Sequence, residues 1–193
     1  FEVLAHRIVW SLPLLCLILS LMRTWSVVLG LSRREYCYLF ASSVCLAVNW
    51  FTFIQAIALQ KIVETSLGYF ITPLVSIFLG WIFLREHLRP LQWVAVLMAV
   101  FGVSWELYVE RLVPAYGLAL AFSFGIYGLL RKQVNLPAAA GLFVECSLLI
   151  PLALVYLIFF GESLAERTEF QLGFLMLGGV ITVVPLLFFT AAT

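Results

Sequence analysis

The chain has 193 residues, of which 64% are hydrophobic and only 11% charged, with a formal net charge of +1. A soluble domain carries about 25% charged residues. That shortfall, with a mean hydropathy of +1.12, excludes a soluble enzyme, a disordered chain and a nucleic-acid binder with a basic surface.

Apolar runs punctuated by charges and prolines predict seven membrane-spanning helices. They lie near residues 3–22, 37–59, 65–84, 91–109, 115–130, 141–160 and 171–192. A membrane helix needs roughly 20 apolar residues, the scale of these runs. Barrel strands would be about 10 residues long and would alternate in polarity. The expected fold is therefore all-α, a multi-pass transmembrane helix bundle. The first run is too long for the core of a signal peptide and lacks a cleavage site. A chain that begins at Phe1 and ends at Thr193 inside an apolar run reads as a segment of a longer protein.

The loops alternate in basic content. The first, third and fifth hold Arg23, Arg33, Arg34, Arg85, Arg89, Arg131 and Lys132, against Lys61, Arg111 and Arg167 in the others. Cytoplasmic loops retain Lys and Arg, so the odd loops are expected inside. Trp25, Trp81, Trp93 and Trp105 lie near span ends, as interfacial tryptophans do. Trp10 and Trp50 lie deeper, as packing aromatics or as the wall of a cavity.

Hydrophobicity does not drive helix association in lipid; small residues do, by allowing close backbone approach. The third span has Gly68, Thr72, Ser76 and Gly80 on one stripe, and the fifth has Gly117, Ala121 and Gly125. Both stripes predict helix–helix contact, which Gly80→Leu or Gly125→Leu should disrupt. Pro13, Pro73, Pro151 and Pro185 lie inside spans as helix-kink candidates. Each removes a backbone donor and frees a carbonyl one turn back.

Polar residues at membrane depth supply the candidate site. Ser42, Cys45, Asn49, Thr52 and Ala56 share one helix face, as do Thr65, Tyr69, Thr72 and Ser76, and Tyr116, Ser123 and Tyr127. The substrate-cavity candidates are Asn49, Trp50, Thr52, Tyr69, Thr72, Ser76, Ser123 and Tyr127. An interhelical hydrogen bond serves equally well for Asn49. Such a cavity suits a small amphipathic or aromatic solute better than a bare ion.

Arg7 and Glu145 are the ionisable residues inside runs, where a charge at bilayer centre costs roughly 2.5–3.5 kcal/mol. Each precedes a proline by six residues, Pro13 or Pro151, ahead of a Leu-rich run. The two spans are five apart and so oppositely oriented, which suggests an inverted repeat of the kind transporters use. Opposite orientation would leave the two groups about 18 Å apart across a core of about 30 Å. They are candidates for gating or coupling from opposite sides. His6 stands beside Arg7 as an interfacial histidine.

No catalytic residues are expected. The chain has no Asp, which excludes an intramembrane aspartyl protease, and no GxSxG or HExxH. No GxxxxGK[ST] loop is present, so no use of ATP is expected. Cys16, Cys37, Cys45 and Cys146 form no CxxC pair, so neither a metal nor another cofactor is expected.

Four runs together resemble one transporter family. They are residues 2–11 (EVLAHRIVWS), 65–74 (TSLGYFITPL), 91–95 (LQWVA) and 121–132 (AFSFGIYGLLRK). The chain resembles the EamA family of the drug/metabolite transporter superfamily along nearly its whole length. The resemblance implies ten helices in two inverted repeats of five. Residues 1–110 would form the first repeat without its first helix, and residues 111–193 the second, truncated at its C-terminus. It also implies a permease of the bacterial inner membrane, moving small drug-like or metabolite solutes by alternating access. Its partners would be the lipid bilayer and a small-molecule substrate, with no nucleic acid; a homodimer is compatible with it. The family usually has Asn where Thr72 precedes Pro73. The competing readings are a structural or assembly subunit of a membrane complex and an intramembrane enzyme.

Overall fold

A computed structural model describes residues 2–85, 87–111, 113–161 and 169–192. The element order is α1 (Glu2–Met22), α2 (Trp25–Leu29), α3 (Arg33–Ala58), α4 (Ile62–Phe83), α5 (Pro90–Glu110), α6 (Ala115–Lys132), α7 (Ala138–Phe160) and α8 (Glu169–Ala192). Seven of these are the expected long helices. The short α2 falls in the first loop, which the sequence leaves irregular. Among the described residues, six helices are long and apolar enough to cross a membrane. The exception among the expected spans is α6, with 18 residues and a last turn holding Arg131 and Lys132. At 18 residues its full length takes in both cations, which lower its mean hydropathy. Arg167 lies outside the described residues.

Local chemistry sets several helix ends. Ser32 and Glu35 form a reciprocal cap at α3: Glu35 Oε2 accepts the Ser32 N–H at 2.8 Å, and Ser32 Oγ accepts the Glu35 N–H at 3.3 Å. Pro90 opens α5, where its missing N–H costs nothing, and Gln92 Oε1 accepts the Arg89 N–H at 2.7 Å. Arg23, Gln60, Arg85 and Arg111 end α1, α3, α4 and α5 in the left-handed region, with φ of 53°, 57°, 54° and 47°.

Two compact units divide the chain. The first comprises residues 1–44 and 130–193. In it α1 packs on α7 and α8, burying Ala5, Ile8, Leu15 and Leu19. The Gly178–Gly179 pair of α8 admits α1: a Cβ at Gly179 would sit 2.7 Å from the Trp10 carbonyl carbon. The second unit comprises residues 45–129. There α4 and α6 cross at Gly68 and Gly117, where a Cβ on Gly68 would meet the Gly117 backbone at 3.0 Å. Leu67, Ile71, Val75, Leu79 and Ala121 pack beyond that crossing, with Val103 and Leu107 of α5 against them. The two small-residue stripes thus meet each other.

Every intraspan proline lies within an unbroken helix, on an exposed face. Each has a hydroxyl close by that donates to the carbonyl four residues back: Ser11 to Arg7, Thr72 to Gly68, Ser147 to Phe143 and Thr182 to Gly178. Proline removes one ladder bond, and back-bonding of this kind bends helices. Each of the four helices thus lacks one ladder bond at its proline.

Candidate functional site

In the second unit, α3 turns Asn49 toward α6. Its Nδ2 donates to the Leu120 carbonyl and to Ser123 Oγ, both at 3.0 Å. Ser123 in turn donates to Leu120, so the three form one knot. Trp50 and Tyr127 are buried, while Thr52, Thr72 and Ser76 are half-buried. Thr72 donates to Gly68 and not to the carbonyl of residue 69 that Pro73 leaves free. Tyr69 is 65% exposed and meets Phe53 edge-on at 6.4 Å. Its neighbours Gly68 and Ile71 are on the buried stripe, and a step of about 100° from Gly68 turns position 69 outward. Asn49→Ala should cost about 0.6 kcal/mol and at most about 1.7, the range of interhelical hydrogen bonds in membranes. Reversible unfolding in detergent measures it, and a loss above about 3 kcal/mol would show that Asn49 carries more than this knot.

Glu64 is a buried acid that the sequence reading passed over. It pairs with Lys61 Nζ at 3.2 Å, and its Oε2 accepts the Tyr116 N–H at 3.2 Å. That N–H is among the orphan donors at the start of α6, where a negative charge also meets the positive end of the helix dipole. Glu64 reaches it because Gly68 and Gly117 let the two backbones touch one turn away.

In the first unit, Arg7 Nε donates to Thr182 Oγ1 of α8 at 2.7 Å, its stem lying along Gly178. Ser11 adds a contact of 3.5 Å to the Gly179 carbonyl. Glu145 is wholly buried in α7. Its Oε1 accepts a hydrogen bond from Ser42 Oγ of α3 and lies 3.8 Å from Arg131 Nε of α6. Arg131 is thus not a loop cation as expected: it is 4% exposed, while its neighbour Lys132 is exposed. Gly141, one turn before Glu145, makes this possible, because a Cβ there would overlap the guanidinium. A buried acid demands a buried partner. The signal in the sequence is the Gly-x-x-x-Glu spacing, which clears a berth beside the carboxylate.

The two clusters mirror each other. The offset that carries Arg7 onto Glu145 carries Ser42 to within a turn of Thr182. In each cluster, a charged residue six positions before a proline holds a hydroxyl on a second helix.

The model of the EamA-like transporter family matches residues 1–107. An "Uncharacterized transporter" from Vibrio cholerae is 42% identical over 99% of this chain and 65% of its own length. "Protein RarD" from Escherichia coli is 40% identical over 99% of this chain and 67% of its own length. "Chloramphenicol-sensitive protein RarD" from Pseudomonas aeruginosa is 36% identical over 91% of this chain and 61% of its own length. The chain spans about two thirds of the length of these relatives. No solved structure matches it.

Proposed function

This chain belongs to the EamA-like transporter family, and from that premise we propose that the full-length protein is a permease of the bacterial inner membrane. It moves small drug-like or metabolite solutes by alternating access between two inverted repeats, residues 1–110 and 111–193. The observation that supports this most is the mirrored pair of clusters. In an inverted repeat, each copy's charged helix meets the other copy's following helix, as Arg7 with Thr182 and Glu145 with Ser42 do. Asn49, Trp50, Thr52, Tyr69, Thr72, Ser76, Ser123 and Tyr127 line the solute path. Arg7 and Glu145 act as gates on opposite sides, and Pro13, Pro73, Pro151 and Pro185 let their helices bend between states. The P. aeruginosa relative's name concerns chloramphenicol sensitivity, which fits a drug-like solute. Energy comes from a proton gradient through Glu145. In proteoliposomes of the full-length protein, Glu145→Gln should abolish the dependence of solute uptake on an imposed pH gradient. Retained dependence in that variant would reject Glu145 as the coupling group.

A further inference from the structure

The guanidinium of Arg131 is buried with two of its nitrogens idle. Neither Nε nor Nη1 has a hydrogen-bond partner. The 3.8 Å approach of Nε to Glu145 Oε1 is electrostatic and too long for a hydrogen bond. Glu145 Oε1 instead takes its hydrogen bond from Ser42. Buried donors are costly to leave unmade, and more so on a group that is always charged. Here the helix backbone has been cut back to glycine at position 141 to seat the cation, yet Nε and Nη1 are left unpaired. Each of these two nitrogens forms one edge of the guanidinium together with Nη2, and such an edge matches a carboxylate in bidentate geometry.

We propose that Arg131 binds the carboxylate of a transported solute, and that this binding takes up one proton on Glu145. The proposal rests on the transporter reading above and names its substrate class. The charge balance dictates the proton. Arg131 and Glu145 are neutral together, and a second carboxylate would leave an uncompensated negative charge in a dry interior. Protonation of Glu145 restores neutrality. Its carboxyl then donates to Ser42 Oγ, and Ser42 turns its own proton to the Leu39 carbonyl, 3.0 Å away. Arg131 is released to the solute. One proton and one monocarboxylate enter the site together, the only bond formed is the O–H on Glu145, and the step is electroneutral. The other ionisable groups on the helices around Glu145 are Cys146 and Tyr156 on α7, and Tyr116, Tyr127 and Lys132 on α6. On α3 they are Arg33, Arg34, Glu35, Tyr36, Cys37 and Tyr38 toward its N-terminus, with Cys45 one turn beyond Ser42. On α1 they are Cys16, and Glu2, His6 and Arg7 toward the opposite end, with Arg7 held by Thr182. Residues 170–190 of α8 carry none.

The test uses the purified full-length protein with benzoate as probe and benzamide as its uncharged counterpart. Benzoate affinity, read from thermal stabilisation, should rise about tenfold for each pH unit lowered from pH 8, as linkage to one proton requires. Benzamide should have no such effect. Glu145→Gln, which mimics the protonated acid, should bind benzoate independently of pH. Arg131→Gln/Glu145→Gln keeps the cluster neutral, so it should melt cooperatively and lose benzoate binding. Benzoate binding that survives in the double variant, or is absent from a cooperatively melting Glu145→Gln protein, would overturn the proposal. If benzoate fails but uncharged solutes cross proteoliposomes, the carboxylate proposal falls and the transporter reading stands. If no solute crosses while benzoate still binds, the transporter reading falls first.

Discussion

Arg131→Met is expected to destabilise the protein by about 3–5 kcal/mol, the cost of stranding one member of a buried ion pair. The loss comes less from the attraction removed than from the carboxylate left behind. Glu145 has no exposed surface, and the Ser42 hydroxyl is neutral and cannot balance its charge. At the surface the same change would cost under about 1 kcal/mol, so the magnitude separates a buried pair from a snorkelling loop arginine. Arg131→Met/Glu145→Gln should recover most of the loss, because a neutral amide carries little of the desolvation cost. Unfolding of the four proteins in detergent closes this cycle. Additive losses, or a single variant as stable as the wild type, would contradict the pairing.

Gly117→Leu should be the most damaging of the substitutions at Gly102, Gly117 and Gly125, at or beyond the upper end of the roughly 1–3 kcal/mol typical of overpacking. Its Cβ would fall against the Glu64 carbonyl oxygen, with the Gly68 nitrogen at 3.1 Å. Those are backbone atoms, so α4 and α6 would have to move apart. Separation would also break the bond from the Tyr116 N–H to Glu64 and loosen Val75, Leu79 and Ala121. Gly125→Leu meets the ends of the Val75 and Leu79 side chains, at 2.8 and 3.2 Å. Those can rotate, so that variant should be milder. Gly102→Leu, with nothing within 4 Å, should melt close to the wild type. The ranking is read from thermal melting of the three proteins; Gly117→Leu melting no lower than Gly102→Leu would contradict the crossing.

The helices were legible because lipid-spanning segments announce themselves by length and apolarity, and each long run did fold as a helix. The α4–α6 contact was legible too, since Gly68 and Gly117 each stand at the head of a small-residue stripe. What the runs concealed was pairing between distant segments. Arg131 and Lys132 look alike as a dibasic helix end, and only the fold turns one inward and leaves the other exposed. Glu64 and Glu145 each stand one turn from a glycine, at 68 and 141, and that spacing marks both buried acids. Periodicity alone could not place Tyr69. It shares a helical stripe with Thr65, Thr72 and Ser76, but sits at the edge of that stripe beside exposed Phe70. The Gly178–Gly179 contact was missed because two adjacent glycines carry no helical period.

The measurement closest to the central claim is solute flux through proteoliposomes of the full-length protein, across a panel of small amphipathic and aromatic solutes. Saturable flux of at least one solute, lowered by substitution at Glu145 or Arg131, is the expected result. Absence of flux for the whole panel in a folded, correctly inserted protein would contradict it.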